Sequence, residues 1–140
     1  MEKRQNIMKV LVDTCIWSKA LRKTNLSTSI EVVILEELIR LGRVQIMGPI
    51  RQELLSGIHK KSDFEILSKK LQAFPDLFLQ TSDYELAAKM FNLCRTKGVQ
   101  GSNTDFLICA VSKRYQYPVF TQDKDFQLFA KYLPIQLFRA

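Results

Sequence analysis

The sequence predicts an α/β fold in which a mostly parallel sheet of about five strands is flanked by helices on both faces. Short stretches rich in Val, Ile and Leu, which fit strands, alternate with longer stretches that fit helices. Such alternation is typical of parallel strands joined by helical crossovers. The sequence contains no repeat, low-complexity tract or domain linker. We therefore expect residues 1–140 to form a single domain, with residues 1–7 as an N-terminal extension that could be flexible.

Five stretches fit the strands, and three short motifs mark the starts of helices. The predicted strands are residues 9–12, 44–47, 77–79 and 118–120, with a further candidate at 135–138. Each helix motif is a capping box, in which a Ser or Thr is followed three residues later by Glu. These patterns predict N-caps at Thr28, Ser62 and Ser82.

Four acidic residues, far apart in the sequence, stand at the ends of these apolar elements. Asp13 and Asp123 each come just after a predicted strand, and Asp105 opens the apolar helix that follows Ser102 and Asn103, either of which could cap it. Glu53 lies about one turn into a short helix after the second strand. The carboxyl ends of parallel strands are where open α/β sheets place their active sites. Since a carboxylate beside a core segment needs a counter-charge, the four acids indicate a metal site.

Each acid also has an ordinary structural explanation when it is considered alone. Asp13 could be a turn residue, which is common after a strand. Asp105 could serve its helix as a capping residue, because Asp is favoured in a first turn. Glu53 could be a solvated helix residue. It is the combination of all four acids, in order, that favours one shared site.

The segments that carry these acids resemble the motifs of the PIN-domain nucleases, and among them the VapC-like toxins of bacterial toxin–antitoxin pairs. The four matching segments are Val12-Asp13-Thr14, Glu53-Leu54-Leu55-Ser56-Gly57, Asp105-Phe106-Leu107-Ile108-Cys109-Ala110 and Thr121-Gln122-Asp123-Lys124-Asp125-Phe126. They extend over nearly the whole chain. Cys109 stands where Ala is commoner in the family, which exchanges one small residue for another.

This resemblance implies a metal-dependent endoribonuclease. In-line hydrolysis of a phosphodiester needs an activated water, neutralised phosphate oxygens and a stabilised leaving group, all of which Mg²⁺ or Mn²⁺ can supply. These hard ions prefer oxygen ligands, and Mg²⁺ usually keeps several waters. We expect Asp13 and Asp105 to be the principal ligands. Glu53 and Asp123 would complete the site directly or through water.

Other polar residues near the motifs are expected to support the site. Thr14, Thr121 and Asn103 could orient the ligands or a phosphate group. Asp125 has three interpretations: a fifth ligand, an N-cap for a helix over residues 126–130, or an exposed acid. Of these, we favour the N-cap.

The charge of the chain favours a polyanionic partner. The formal net charge is +7 and the sequence pI is about 9.5, which suit a protein whose basic rim follows an RNA backbone while its acids hold a cation. The candidate RNA-binding residues are Arg51, Lys19, Arg22 and Lys23. For any single lysine, a simple solvated surface position is the better explanation. Arg51 has the best claim to bind RNA, because it is closest in sequence to the expected site.

The resemblance also implies a cognate antitoxin, whose C-terminal segment would cover the acidic groove, and a homodimer. The apolar helices predicted over residues 29–41 and 84–94 could provide either surface, although core packing also explains them. Three cysteines without CxxC spacing favour reduced thiols and a cytoplasmic protein. We expect neither a signal peptide nor a membrane span.

Two other classes of function compete with the nuclease. An aspartate-based phosphotransfer protein or phosphatase also places acids at the ends of parallel strands. The dehalogenase-like pattern, however, has a second Asp two positions after the first, where this chain has Cys15. A non-catalytic PIN-like scaffold that binds RNA or protein is the third class, and the presence of all four acids is evidence against it.

Overall fold

The strand β1 (Val10–Val12) occupies an interior position in a parallel sheet, and its three side chains are apolar and fully buried. The computed structural model describes residues 8–22 and 29–139. In it, β1 pairs in parallel with β2 (Val44–Met47) on one side and with β4 (Val119–Phe120) on the other. The strand β3 (Asp76–Leu77) pairs in parallel with β2, so the strand order is β3-β2-β1-β4. The predicted α/β fold with a parallel sheet is confirmed.

Seven helices flank the sheet in the part of the chain that the structure describes. They are α1 (Thr14–Leu21), α2 (Ile30–Arg40), α3 (Gly48–Leu55), α4 (Lys61–Leu71), α5 (Thr81–Thr96), α6 (Asn103–Tyr115) and α7 (Asp125–Tyr132). The main helix–helix contacts fall within two groups, α1 to α4 and α5 to α7, and the most extensive is α5 against α6. None of the described helices is long and apolar enough to cross a membrane.

The described sheet has four strands, whereas the sequence predicted about five. The candidate strand at residues 135–138 is reduced to a single parallel bridge between Val119 and Leu137. Two backbone hydrogen bonds hold it, from Val119 to Gln136 and from Phe138 to Val119. Because β4 is itself only two residues long, it offers little backbone for a longer ladder.

The helix starts differ from the predicted capping boxes by one or two residues. Thr28 lies outside the described residues, and the N-cap of α2 is Ser29, whose Oγ accepts a hydrogen bond from the backbone N–H of Val32 at 3.3 Å. The helices α4 and α5 begin two residues before the predicted positions, after Lys60 and Gln80. In α5 the earlier start depends on a tertiary contact. The Asp83 carboxylate accepts a hydrogen bond from the Gln80 backbone N–H, and it also pairs with Arg114, which is distant in sequence.

The turn that leads into α6 is fixed by close aromatic packing. The rings of Phe106, Phe126 and Phe129 are fully buried, and their centroids lie 4.9 Å (Phe106 to Phe129) and 5.1 Å (Phe126 to Phe129) apart. A Cβ atom on Gly101 would lie 2.5 Å from the ring of Phe129, so only glycine fits there without a shift of the ring. This packing holds the N-terminus of α6, where Asp105 is located.

Candidate active site

The register of β1 and β4 brings two of the predicted site residues together. Val12 is paired with Phe120, and the backbone N–H of Asp13 donates to the carbonyl of Phe120 at 2.9 Å. Asp13 and Thr121, the residues that follow this pair, therefore lie at the same carboxyl edge of the sheet. There the Thr121 hydroxyl donates to Oδ2 of Asp13 at 2.7 Å. Because β2 and β4 lie on opposite sides of β1, this edge is also a topological switch point, where α/β proteins bind ligands.

Asp13 is a buried carboxylate at the centre of this arrangement. Its side chain is 7% exposed, and Oδ1 accepts a hydrogen bond from the backbone N–H of Thr14 at 2.8 Å. Burial raises the pKa of Asp13, and the negative charge of Asp123 raises it further, while the hydrogen bond from Thr121 opposes the shift. A nearby cation would offset both the burial and the repulsion.

Glu53 reaches Asp13 from another element through Thr14. The helix α3 follows β2 without a loop, and Glu53 lies on its exposed side. The Thr14 hydroxyl donates to Oε2 of Glu53 at 2.7 Å, across 39 residues of sequence. The threonine that follows Asp13 in the motif thus joins the two acids.

Asp105 lies in the first turn of α6, as predicted, and forms a capping box with Ser102. The Ser102 Oγ accepts from the Asp105 backbone N–H at 3.1 Å, and Oδ2 of Asp105 accepts from the Ser102 backbone N–H at 3.0 Å. Of the two candidate caps, Ser102 is therefore the N-cap, and Asn103 is the exposed first residue of the helix. Burial raises the pKa of Asp105, and the charges of Asp13 and Asp123 raise it further.

The loop after β4 carries Asp123 and corrects the preferred interpretation of Asp125. The backbone N–H of Asp123 donates to the Thr121 hydroxyl at 3.0 Å, and Oδ1 of Asp123 accepts from the backbone N–H of Asp125 at 2.9 Å. The carboxylate that satisfies the start of α7 is thus that of Asp123. Asp125 is the exposed first residue of α7, and Lys124 occupies the N-cap position.

The four acids are brought to one edge of the sheet, but the side chains do not form a closed metal cage. Among the described residues, no three Asp, Glu, His or Cys side chains are close enough together, as they stand, to hold a metal ion. Glu53 and Asp105 each use one carboxylate oxygen in a bond to the protein. The chemistry of the donors nevertheless suits Mg²⁺ or Mn²⁺, because they are carboxylates that repel one another, and Mg²⁺ takes few protein ligands and several waters. The residues present therefore fit such an ion.

Cys15 is a neighbour of the site that the sequence did not suggest. Its Sγ donates to Oδ2 of Asp13 at 3.5 Å and lies 3.6 Å from the hydroxyl oxygen of Thr121. The same sulfur accepts a hydrogen bond from the backbone N–H of Gln122 at 3.4 Å. Burial raises the pKa of this thiol, which favours the protonated donor. The available signal was its position two residues after Asp13, on the first turn of α1.

The basic residues predicted to bind RNA occupy different settings. Arg51 is held by the protein itself: its guanidinium forms an ion pair with Asp76 at 3.0 Å and donates to the backbone carbonyls of Leu71 and Phe74. These contacts indicate that Arg51 anchors the turn between α4 and β3, and they leave it poorly placed for RNA. Lys19 is also engaged, with Gln122 and Glu31. Lys23 lies outside the described residues.

A cavity of about 690 Å³ lies beside Glu53, among α1, α3 and α4. Its lining includes the basic side chains of Arg22 and Lys70, the acidic side chains of Glu53 and Asp63, and apolar residues such as Ile66. A groove with mixed charge and an apolar wall, next to one of the four acids, has space for part of a substrate or of a protein partner.

Removal of the Thr121 hydroxyl is expected to raise the pKa of Asp13 further. The bond from Thr121 is the strongest of the contacts that lower this pKa, and Thr121→Val keeps the shape of the side chain while removing the donor. We expect the titration of Asp13 in metal-free protein, followed by carboxyl NMR shifts, to move to higher pH. As a control, Thr96→Val removes a hydroxyl that bonds within α5 and should leave the titration unchanged. An unchanged Asp13 titration in Thr121→Val would contradict this account of the site.

Comparisons with known proteins bear on the family and the fold of the chain. The family model described as PIN domain matches residues 10–132. A similar fold occurs in FitAcB from Neisseria gonorrhoeae, with 20% identity and a TM-score of 0.72, over 93% of this chain and 96% of that chain. It also occurs in VapBC2 from Rickettsia felis, solved bound to a DNA fragment from their promoter, with 18% identity and a TM-score of 0.72, over 94% and 98%. Among curated proteins, none matches the chain at a significant level.

Proposed function

Because this chain belongs to the PIN domain family, whose members are generally nucleases, we propose that it is a metal-dependent endoribonuclease of the VapC-like toxin type. The observation that carries the proposal is the convergence of acids from four separate segments at one edge of the sheet. Asp13 and Asp123 meet through Thr121, Glu53 joins them through Thr14, and Asp105 interacts with the charges of the first two.

The proposed metal ligands are Asp13, Asp105, Glu53 and Asp123. A Mg²⁺ or Mn²⁺ ion held there would activate water and neutralise the charge that develops on the phosphate. Within the chain, the Thr121 hydroxyl fixes one carboxylate oxygen of Asp13 by a bond of 2.7 Å. Thr14 does the same for Glu53. These two threonines orient the acids, which is the supporting role proposed for them.

RNA is the proposed substrate because the acidic edge is part of a basic protein of net charge +7. Arg22 lines the cavity beside Glu53, and this exposed residue carries a positive charge near the proposed site. With Arg51 engaged in structural contacts, Arg22 is the better candidate for a phosphate contact.

We further propose an antitoxin partner, which the VapC-like motifs and the likeness to VapBC2 support, and a homodimer, for which the VapC-like motifs are the support. The helices α2 and α5 each bury one side in the core and expose apolar side chains on the other. In α2, Ile30 is 66% exposed, and in α5, Tyr84 is 53% exposed. These sides are candidates for the two interfaces. The three cysteines are free, which supports the proposal of a cytoplasmic location.

The test of the nuclease proposal is cleavage of total cellular RNA by the purified protein, with Mg²⁺, with Mn²⁺ and with EDTA. We expect discrete fragments with a metal and none with EDTA. An Asp13→Asn preparation serves as the control for contaminating ribonucleases, since these would still cut. Cleavage that survives EDTA and the substitution, or a folded protein that cuts no RNA under any condition, would contradict the proposal.

A further inference from the structure

A polar cluster formed by Lys19, Glu31 and Gln122 joins three elements beside the candidate site. The Lys19 Nζ donates to Oε1 of Gln122 at 3.1 Å, and Nε2 of Gln122 donates to Oε1 of Glu31 at 2.6 Å. Lys19 and Glu31 also form an ion pair at 3.6 Å. A lysine can only donate and a carboxylate can only accept, so the Gln122 amide, which does both, is held in one orientation between them. The cluster thus joins α1, α2 and the loop between β4 and α7.

The backbone around Gln122 carries two groups of the candidate site. Its preceding residue is Thr121, whose hydroxyl holds Asp13, and its following residue is Asp123. The backbone N–H of Gln122 itself donates to Sγ of Cys15 at 3.4 Å. An anchor at Gln122 therefore restricts the residues on both sides of it, within a loop of only four residues between β4 and α7.

We infer that Gln122 is a positioning residue, held by Lys19 and Glu31, that keeps Thr121 and Asp123 in place for the carboxylate site. The inference rests on the proposed function in that it assigns a catalytic purpose to those two residues. It also gives Lys19 a role different from phosphate binding, since its ammonium group is already occupied by the cluster. One exposed ion pair adds little to global stability, so the expected effect of the cluster is local.

How firmly the loop is held can be measured without metal or RNA, by amide hydrogen exchange in the peptide that covers residues 119–126. In Gln122→Ala we expect amide exchange in this peptide to accelerate about five-fold, the factor that loss of one typical hydrogen bond produces. Exchange in α5 should stay unchanged. Gln127→Ala is the matched control, because Gln127 is an exposed residue in the first turn of α7 and does not belong to the cluster. Wild-type exchange of the loop in Gln122→Ala would overturn the inference.

Kinetics with RNA separate a positioning role from phosphate binding. For Gln122→Ala and Lys19→Met we expect kcat to fall about 10-fold, as for other residues that orient metal ligands, with KM nearly unchanged. The salt dependence of RNA binding should also be unchanged in Lys19→Met. If Lys19 contacts a phosphate instead, the logarithmic salt slope will fall by about 1, and its role in the cluster is refuted. Lys89→Met, on α5, controls for the loss of one positive charge.

The same experiments distinguish failure of this inference from failure of the proposed function. If the wild-type protein cuts no RNA but the loop of Gln122→Ala exchanges faster, the anchoring role stands and the nuclease proposal fails. If the wild type cuts RNA and Gln122→Ala matches it in both kcat and loop exchange, the nuclease stands and the positioning role is refuted.

Discussion

Asp13→Asn is expected to reduce metal-dependent RNA cleavage at least about 100-fold, because a catalytic metal contributes several kcal/mol of charge stabilisation and Asp13 is its proposed central ligand. The fold should remain intact. Asn keeps an oxygen for the backbone N–H of Thr14, and its amide group can donate to the hydroxyl of Thr121, which can turn to accept. The measurement is the rate of cleavage of a defined RNA in Mn²⁺, compared at equal protein concentration.

The same substitution should raise the melting temperature of the metal-free protein at neutral pH. The pKa values of Asp13 and Asp105 are raised in the folded state above their ordinary value of 3.8. Between pH 3.8 and the raised values the folded protein binds more protons than the unfolded chain. These carboxyls therefore favour folding below pH 3.8 and lose that contribution as the pH rises. Asn at position 13 removes both the burial of a charge and its repulsion of the other acids.

Glu85→Gln is the control for the loss of one negative charge, because Glu85 is an exposed residue on α5, in another part of the fold. It should change neither cleavage nor melting temperature. A lower metal-free melting temperature in Asp13→Asn would show that the acids do not repel one another as the structure indicates. Wild-type cleavage by Asp13→Asn would refute its assignment as a ligand.

Arg114→Met is expected to lower the free energy of unfolding by about 3 kcal/mol, the low end of the scale for breaking a buried ion pair, because Asp83 is buried while the Arg114 side chain is 29% exposed. Asp83 is 1% exposed, and its Oδ2 accepts from Arg114 at 2.6 Å and from the backbone N–H of Gln80 at 2.8 Å. Without the guanidinium, the Asp83 carboxylate would remain buried beside a single backbone donor. The measurement is equilibrium unfolding in urea, with the midpoint and slope compared between the variant and the wild type.

Two further variants sharpen that result. Lys113→Met alters the adjacent exposed residue of α6 and should change stability by less than about 0.5 kcal/mol, as is usual for surface positions. Adding Asp83→Asn to Arg114→Met removes the unpaired charge and should recover part of the loss. A cost of under about 1 kcal/mol for Arg114→Met would mean that the pair behaves as a surface salt bridge. The pair matters for the site because it joins α5 to α6, the helix that carries Asp105.

The parts of the site that were predictable are those whose signal is local. An apolar strand followed by an acid located Asp13 and Asp123, and an apolar run after Ser102 located Asp105 in a first helical turn. Capping boxes were less reliable. Several Ser, Thr and Asp residues stand near each helix start, and tertiary contacts determine which of them caps the helix. In α5, for example, Asp83 pairs with Arg114 and accepts from the Gln80 backbone N–H.

The long-range partners of the basic side chains could not be predicted, because the sequence of one segment does not show which other segment lies close to it in the fold. Arg51 stands two positions before Glu53 in the sequence, but the structure shows its guanidinium bound to Asp76 and to the turn before β3. Lys19 meets Gln122 across 103 residues of sequence. Its basic character was evident, but its partner was not.

The sequence by itself therefore determined the α/β class, the four acids and the hydrogen-bonding threonines, because apolar periodicity and the residues that end each element are properties of short segments. The tertiary structure alone decided the strand order, the register that sets Asp13 beside Thr121, and the partners of the basic residues. These depend on which buried surfaces fit together, and that is a property of the whole packed chain.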